Sequence, residues 1–125
     1  MKKIIVLLSS LLGISSVFAD VLAVSPQQAA QMQTQQNAVI IDVRENDEWN
    51  AGHIAGAIHI PLGEIQTRVG ELAKYKNQAV IMQCRSGTRS EKAAGILAKS
   101  GFTNVHNMDG GLNAWQKSNL EITTQ

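Results

Sequence analysis

The stretch Ala79-Val80-Ile81-Met82-Gln83-Cys84-Arg85-Ser86-Gly87-Thr88-Arg89-Ser90 decides how the chain is read. Its first four residues are an unbroken apolar run of strand length, and a helical pattern follows from Glu91 to Lys99. What lies between is a strand-to-helix turn, and it holds the only cysteine, flanked by two arginines and a glycine. Backbone N–H groups and a helix N-terminus converge on such a turn, and both favour anions, hence the thiolate over the thiol. A structural cysteine would be buried as well, but a packed thiol has no use for Arg85 and Arg89. Gly87 permits a positive φ or a close backbone approach, so successive amides can curl around one point. The segment reads as a nucleophilic sulfur in an anion-binding loop.

Working outward, Ala38-Val39-Ile40-Ile41-Asp42-Val43 is a second apolar, β-branched run. Apolar residues on both faces predict strands covered on both sides, as in a parallel sheet. Asp42 and Arg44 fall at the carboxyl end of that strand, where open α/β sheets place functional groups. Ser25-Pro26-Gln27-Gln28 is a helix start, with Ser25 as N-cap, Pro26 at N1 and Gln28 completing a capping box. Asp20 to Val24 is read as a short lead-in. Asn46 caps a short helix with Asp47 and Glu48 in its first turn and Gly52 stopping it, and His53 to Pro61 is a loop leading into a short strand. Leu62, Ile65, Val69 and Leu72 draw one apolar stripe along a helix. Gly95 inside the helix after the cysteine suggests close packing on the sheet. Thr103 to Asn107 is a third strand, Leu112 to Lys117 a last helix, and Ser118 to Gln125 a polar tail without pattern. Strands alternating with helices give an α/β fold: one parallel sheet with helices on both faces.

Residues 1–19 stand apart. Lys2 and Lys3 precede an apolar run, and Val17-Phe18-Ala19 supplies small or apolar residues before Asp20, the pattern of a cleaved secretory signal. The run is too short and too serine-broken for a membrane anchor of about 20 residues. The expected division is therefore 1–19 signal peptide, 24–117 domain and 118–125 tail, with the product periplasmic or secreted. Of 125 residues, 106 would remain, enough for one core. A single cysteine forms no internal disulfide, so in an oxidising compartment it is an intermolecular partner or a free reactive thiol. No basic block or aromatic platform suggests nucleic acid, and no membrane partner is expected once the signal is removed.

Several ordered motifs together resemble the rhodaneses, the thiosulfate:cyanide sulfurtransferases. Cys84-Arg85-Ser86-Gly87-Thr88-Arg89-Ser90 looks like their active-site loop. Ile41-Asp42-Val43-Arg44-Glu45, Trp49, Gly52-His53-Ile54 and Gly56 to Pro61 are similar to the family's first block. Gly101 to Val105, Gly110-Gly111-Leu112 and Trp115 resemble its last. The resemblance implies a rhodanese-like single domain of the small exported type and a persulfide mechanism. Cys84 would take the outer sulfur of thiosulfate or a related anionic donor and pass it to a thiophilic acceptor, cyanide in vitro or a protein thiol. Arg85, Ser86, Gly87, Thr88 and Arg89 would bind the donor, and Asp42 and Arg44 would support the loop. No cofactor is implied.

Two other readings remain open: a non-enzymatic sulfur carrier or partner-binding module, and a cysteine phosphatase. The phosphatase spacing, cysteine then five residues then arginine, meets Ser90 here, with Arg89 one position early. His53, His59 and His106 match no metal-ligand spacing, so no metal is expected. They are read as structural or solvated, with His53 near the entrance. Trp49 and Trp115 are read as packing residues.

Overall fold

The computed structural model describes residues 20–125, so the expected signal segment lies outside them. Five strands, all parallel, form one sheet: β1 (Val21–Val24), β2 (Val39–Asp42), β3 (Ile58–His59), β4 (Val80–Gln83) and β5 (Val105–Met108). Their spatial order is β1-β5-β4-β2-β3. In register, Val39 to Asp42 lie beside Val80 to Gln83, and Val80 to Met82 beside Val105 to Asn107. The central strand is thus β4, the one that delivers Cys84. No helix among the described residues is long and apolar enough to cross a membrane.

Alternation along the strands divides the core between two faces, which is why both sets of positions had to be apolar. On one face Ile41, Val43, Val80, Met82 and Val105 are buried with Ile65, Ala93, Ala94, Leu97 and Phe102. They pack beneath α3 (Leu62–Arg68) and α4 (Thr88–Lys99). On the other, Ile40, Ile81 and Met108 are buried with Ala29, Leu112 and Trp115. These belong to α1 (Pro26–Gln35) and α5 (Gly111–Lys117). The short α2 (Asn46–Ala51) stands at the carboxyl edge of the sheet after β2.

The capping box at α1 forms as expected: Ser25 Oγ accepts from the Gln28 N–H at 3.1 Å, and Gln28 Oε1 from the Ser25 N–H at 2.8 Å. Elsewhere the structure revises the sequence reading. Val21–Val24 is not a lead-in but an edge strand paired with β5 from Val21↔Val105 to Val24↔Met108. Four residues carry too little alternation to reveal a strand whose partner is 84 positions away. The apolar stripe from Leu62 to Leu72 follows two helices, because the chain tightens into a 3₁₀ segment (Val69–Tyr75) after α3, with Ile65 and Leu72 still buried. α2 is capped by Glu45 rather than Asn46, and α4 begins at Thr88, with Gly87 as its left-handed N-cap at φ +107°. Gly95 does not pack closely on the sheet: a methyl there would meet nothing within 4 Å. The tail is also tied down. Thr123 and His53 exchange backbone hydrogen bonds at 2.8 and 2.7 Å, and the Trp115 indole N–H donates to Glu121 O at 2.9 Å.

Candidate active site

β4 carries Cys84 to the carboxyl edge of the sheet, and the chain then curls through Arg85, Ser86 and Gly87 into α4. Cys84 is buried, at 1 % exposure, and its Sγ sits at the centre of the curl. The Gly87 N–H donates to it at 3.1 Å, the Ser90 hydroxyl at 3.3 Å and the Ser90 N–H at 3.4 Å. Burial pushes the thiol pKa up, since a thiolate loses its water. The Ser90 hydroxyl and the N–H groups of Ser90, Gly87 and Ser86 outweigh burial, and the net pKa lies below the ordinary thiol value. The arrangement favours the thiolate over the thiol.

The amides point inward because the loop's carbonyls are engaged outside it. Cys84 O accepts from the Leu112 N–H and from Gln83 Nε2, each at 2.8 Å, and Arg85 O from the Asn113 N–H at 3.0 Å. Gly87 O takes Asn107 Nδ2 at 3.0 Å and the Glu91 N–H at 3.2 Å. The first turn of α5 therefore grips the back of the loop, and the Gly110-Gly111 pair lets it come close. A Cβ on Gly111, at φ +56°, would stand 2.5 Å from Cys84 O and from Arg85 C. The oxygens of Gln83 and Asn107 are buried without a partner among the described residues. Each such atom costs about 1–3 kcal/mol, so the scaffold holds the loop carbonyls at the expense of its own polar satisfaction. Gly111→Ala is accordingly expected to displace the loop and lower turnover by about 10²-fold, the scale of a 1 Å misplacement. Steady-state kinetics beside circular dichroism would check it, turnover falling more than stability.

Arg85 and Arg89, expected to bind the donor, both pair with Glu48 in this structure. Arg89 Nη1 and Nη2 donate to the two Glu48 oxygens at 2.7 and 3.0 Å, and Arg85 Nε to Glu48 Oε2 at 3.0 Å. Glu48 is mostly buried, and the Arg89 fork outweighs its desolvation and holds its pKa down at about 2. Glu48 is a site residue that sequence reasoning missed. Its partners lie 37 and 41 positions away, and an acid in the first turn of a helix reads as an ordinary dipole complement. Ser90, whose hydroxyl the sequence reading gave no role, is the other omission.

Asp42 and Arg44 form a buried pair, 0 % and 1 % exposed, with Arg44 Nη2 on Asp42 Oδ2 at 2.7 Å. Neither side chain hydrogen-bonds the Cys84 loop. Arg44 also donates to Glu48 O at 3.3 Å and to Gly52 O at 2.8 Å, so the pair holds α2, the helix that carries Glu48. His53 does not line an entrance. It is buried, bonded to Trp49 O and Gln125 O, and stacked on Trp49 with ring centroids 3.5 Å apart. His59 stacks on the same indole and meets Arg44 O at 2.7 Å, whereas His106, on β5, bonds Asn104 just before that strand. Ser86 and Thr88 are exposed beside Cys84. With Gly87 they border a cavity of about 330 Å³ that runs along β1.

Comparison with known proteins agrees with this geometry. The rhodanese-like domain family matches residues 25–118. YrkF of Bacillus subtilis, whose name marks it a candidate sulfur carrier, is 45 % identical over 76 residues, which span 61 % of this chain and 40 % of that one. The thiosulfate sulfurtransferase GlpE of Pseudomonas fluorescens is 36 % identical over 91 residues, 73 % of this chain and 82 % of its own. A rhodanese-related protein of Thermoplasma volcanium superposes with a TM-score of 0.75 at 23 % identity, covering 83 % of this chain and 99 % of that one, a likeness of fold. With a buried thiol cradled by amides at the carboxyl end of the central strand of a five-stranded parallel sheet, and a family match over three quarters of its length, the chain belongs to the rhodanese-like domain family.

Proposed function

We propose that the protein is a sulfurtransferase that carries sulfane sulfur on Cys84, from thiosulfate or a related donor to a thiophilic acceptor. The observation that carries this reading is the set of three donors converging on Cys84 Sγ. A thiolate stabilised that way attacks the outer sulfur of the donor as nucleophile. In thiosulfate the S–S bond breaks, sulfite leaves with the bonding pair, and the proton of the thiol ends on the persulfide. The persulfide projects its outer sulfur from the loop, while the Gly87 and Ser90 donors hold the inner one. Cyanide then takes the outer sulfur as thiocyanate and Cys84 is regenerated. The GlpE relatives support thiosulfate as donor. The basic and apolar stretch at residues 1–19 supports export to the periplasm or beyond, where an unpaired thiol must be protected, and Cys84 is buried.

Mass spectrometry after thiosulfate treatment tests the reading. One added sulfur is expected on Cys84, discharged by cyanide. The lowered thiol pKa sets the pH dependence. Loading should persist as the pH falls below the ordinary thiol value, and fail only where the bound thiolate itself is protonated. A thiol left unmodified at every pH would overturn the assignment. A sulfur carrier is the second reading, favoured by the YrkF match. It predicts a stable persulfide that cyanide does not discharge catalytically.

A further inference from the structure

Sequence reasoning gave Arg85 and Arg89 the same task, but the structure gives them different ones. Glu48 accepts four hydrogen bonds. Oε1 takes Arg89 Nη1 and the Glu45 N–H at 2.7 and 3.0 Å, and Oε2 takes Arg89 Nη2 and Arg85 Nε, both at 3.0 Å. A carboxylate has about four lone-pair sites, so this one is saturated. The bidentate edge of Arg89, the edge that would grip an oxyanion, is fully engaged with it. Arg85 gives only its Nε. Its two Nη groups have no hydrogen-bond partner among the described residues, and its side chain is 45 % exposed.

Glu48 cannot easily yield its place. It is the third residue of α2, held from behind by the Glu45 N–H, and α2 is anchored by Arg44 through Glu48 O and Gly52 O. The two guanidinium charges at the mouth are therefore reduced to one by a fixed negative charge. A donor with one negative charge finds one free guanidinium edge. A dianion finds the same edge, with a carboxylate and a thiolate beside it.

We infer that Glu48 is a specificity-determining residue of this site, which sets it for sulfane donors of single negative charge over dianions. The inference rests on the sulfurtransferase reading and adds to it the charge class of the donor.

Two donors separate charge from chemistry: thiosulfate, a dianion, and methanethiosulfonate, a monoanion with the same outer sulfur on a sulfonyl group. With the second, Cys84 Sγ bonds to the outer sulfur as the S–S bond breaks. Methanesulfinate leaves with the bonding pair, and the thiol proton ends on the persulfide. In a ping-pong reaction at fixed cyanide, kcat/KM for the donor reports this half-reaction alone. Glu48→Gln keeps a residue able to accept from the Glu45 N–H but removes the charge. It should raise the thiosulfate to methanethiosulfonate ratio of kcat/KM by about tenfold, since one unit charge changes a few ångströms from the donor. Arg89→Gln, with Glu48 retained, should move the ratio the opposite way. An unmoved ratio with Glu48→Gln, or shifts of the same sign in both variants, means that Glu48 merely shapes the loop and overturns the inference. Mass spectrometry of Cys84 separates this failure from the larger one. A persulfide formed at an unmoved ratio removes only the role of Glu48. No persulfide from either donor in the unaltered chain removes the sulfurtransferase reading, and the inference with it.

Discussion

Cys84→Ser is expected to abolish sulfur transfer, with thiocyanate formation from thiosulfate and cyanide reduced by about 10³-fold or more. An alcohol at that position is hardly ionised near neutral pH and has no vacant role as a sulfane carrier. The fold should survive. A serine hydroxyl can still accept from the Gly87 and Ser90 N–H groups that now meet Sγ. Cys84→Ala should be equally inactive but less stable, because a methyl leaves those donors without a partner, at about 1–3 kcal/mol per buried group. Urea melts of the two variants beside the thiocyanate assay distinguish loss of the nucleophile from loss of the loop. Residual turnover of even a tenth of the original in either variant would rule out the Cys84 persulfide.

Asp42→Ala should produce the largest loss of stability, about 3–5 kcal/mol, the scale for breaking one side of a buried ion pair. Arg44 is 1 % exposed, and Asp42 meets its Nε, its Nη2 and its backbone N–H. Without the carboxylate a guanidinium stays buried with no counter-charge. For a domain of this size the loss lowers Tm by about 15 °C or more. Activity at low temperature should fall too, since Arg44 positions α2 and Glu48. Replacing both partners, Asp42→Leu with Arg44→Met, removes the stranded charge and should cost less than Asp42→Ala alone. A double variant no better than the single one would show that Arg44 matters for its bonds to α2 rather than for its charge.

The parts of this protein legible in sequence are those written locally. The α1 capping box spans four residues, β2 and β4 are apolar runs closed by one polar residue each, and the cysteine, glycine and arginines of the loop lie within six positions. The illegible parts join distant positions. β1 is four residues long and has meaning only beside β5. Glu48 acquires its role from Arg85 and Arg89, across two strands. Gln83, Asn107 and Ser90 are ordinary polar residues until the loop carbonyls or the sulfur are seen beside them. Resemblance to a family pointed to the Cys84 loop, but did not tell which arginine is braced and which is free.

The segment beyond the family match, residues 119–125, bears on how the protein can be linked to anything else. Thr123 bridges to His53, Ile122 lies against Gly52, and His53 stacks on the indole next to Glu48. Ile122 also borders a recess of about 170 Å³ shared with Glu48 and Arg85. Whatever is joined after Gln125, whether an affinity handle, a surface tether or a second module, therefore departs from beside His53, near the recess that Glu48 and Arg85 line. A short attachment would crowd that recess.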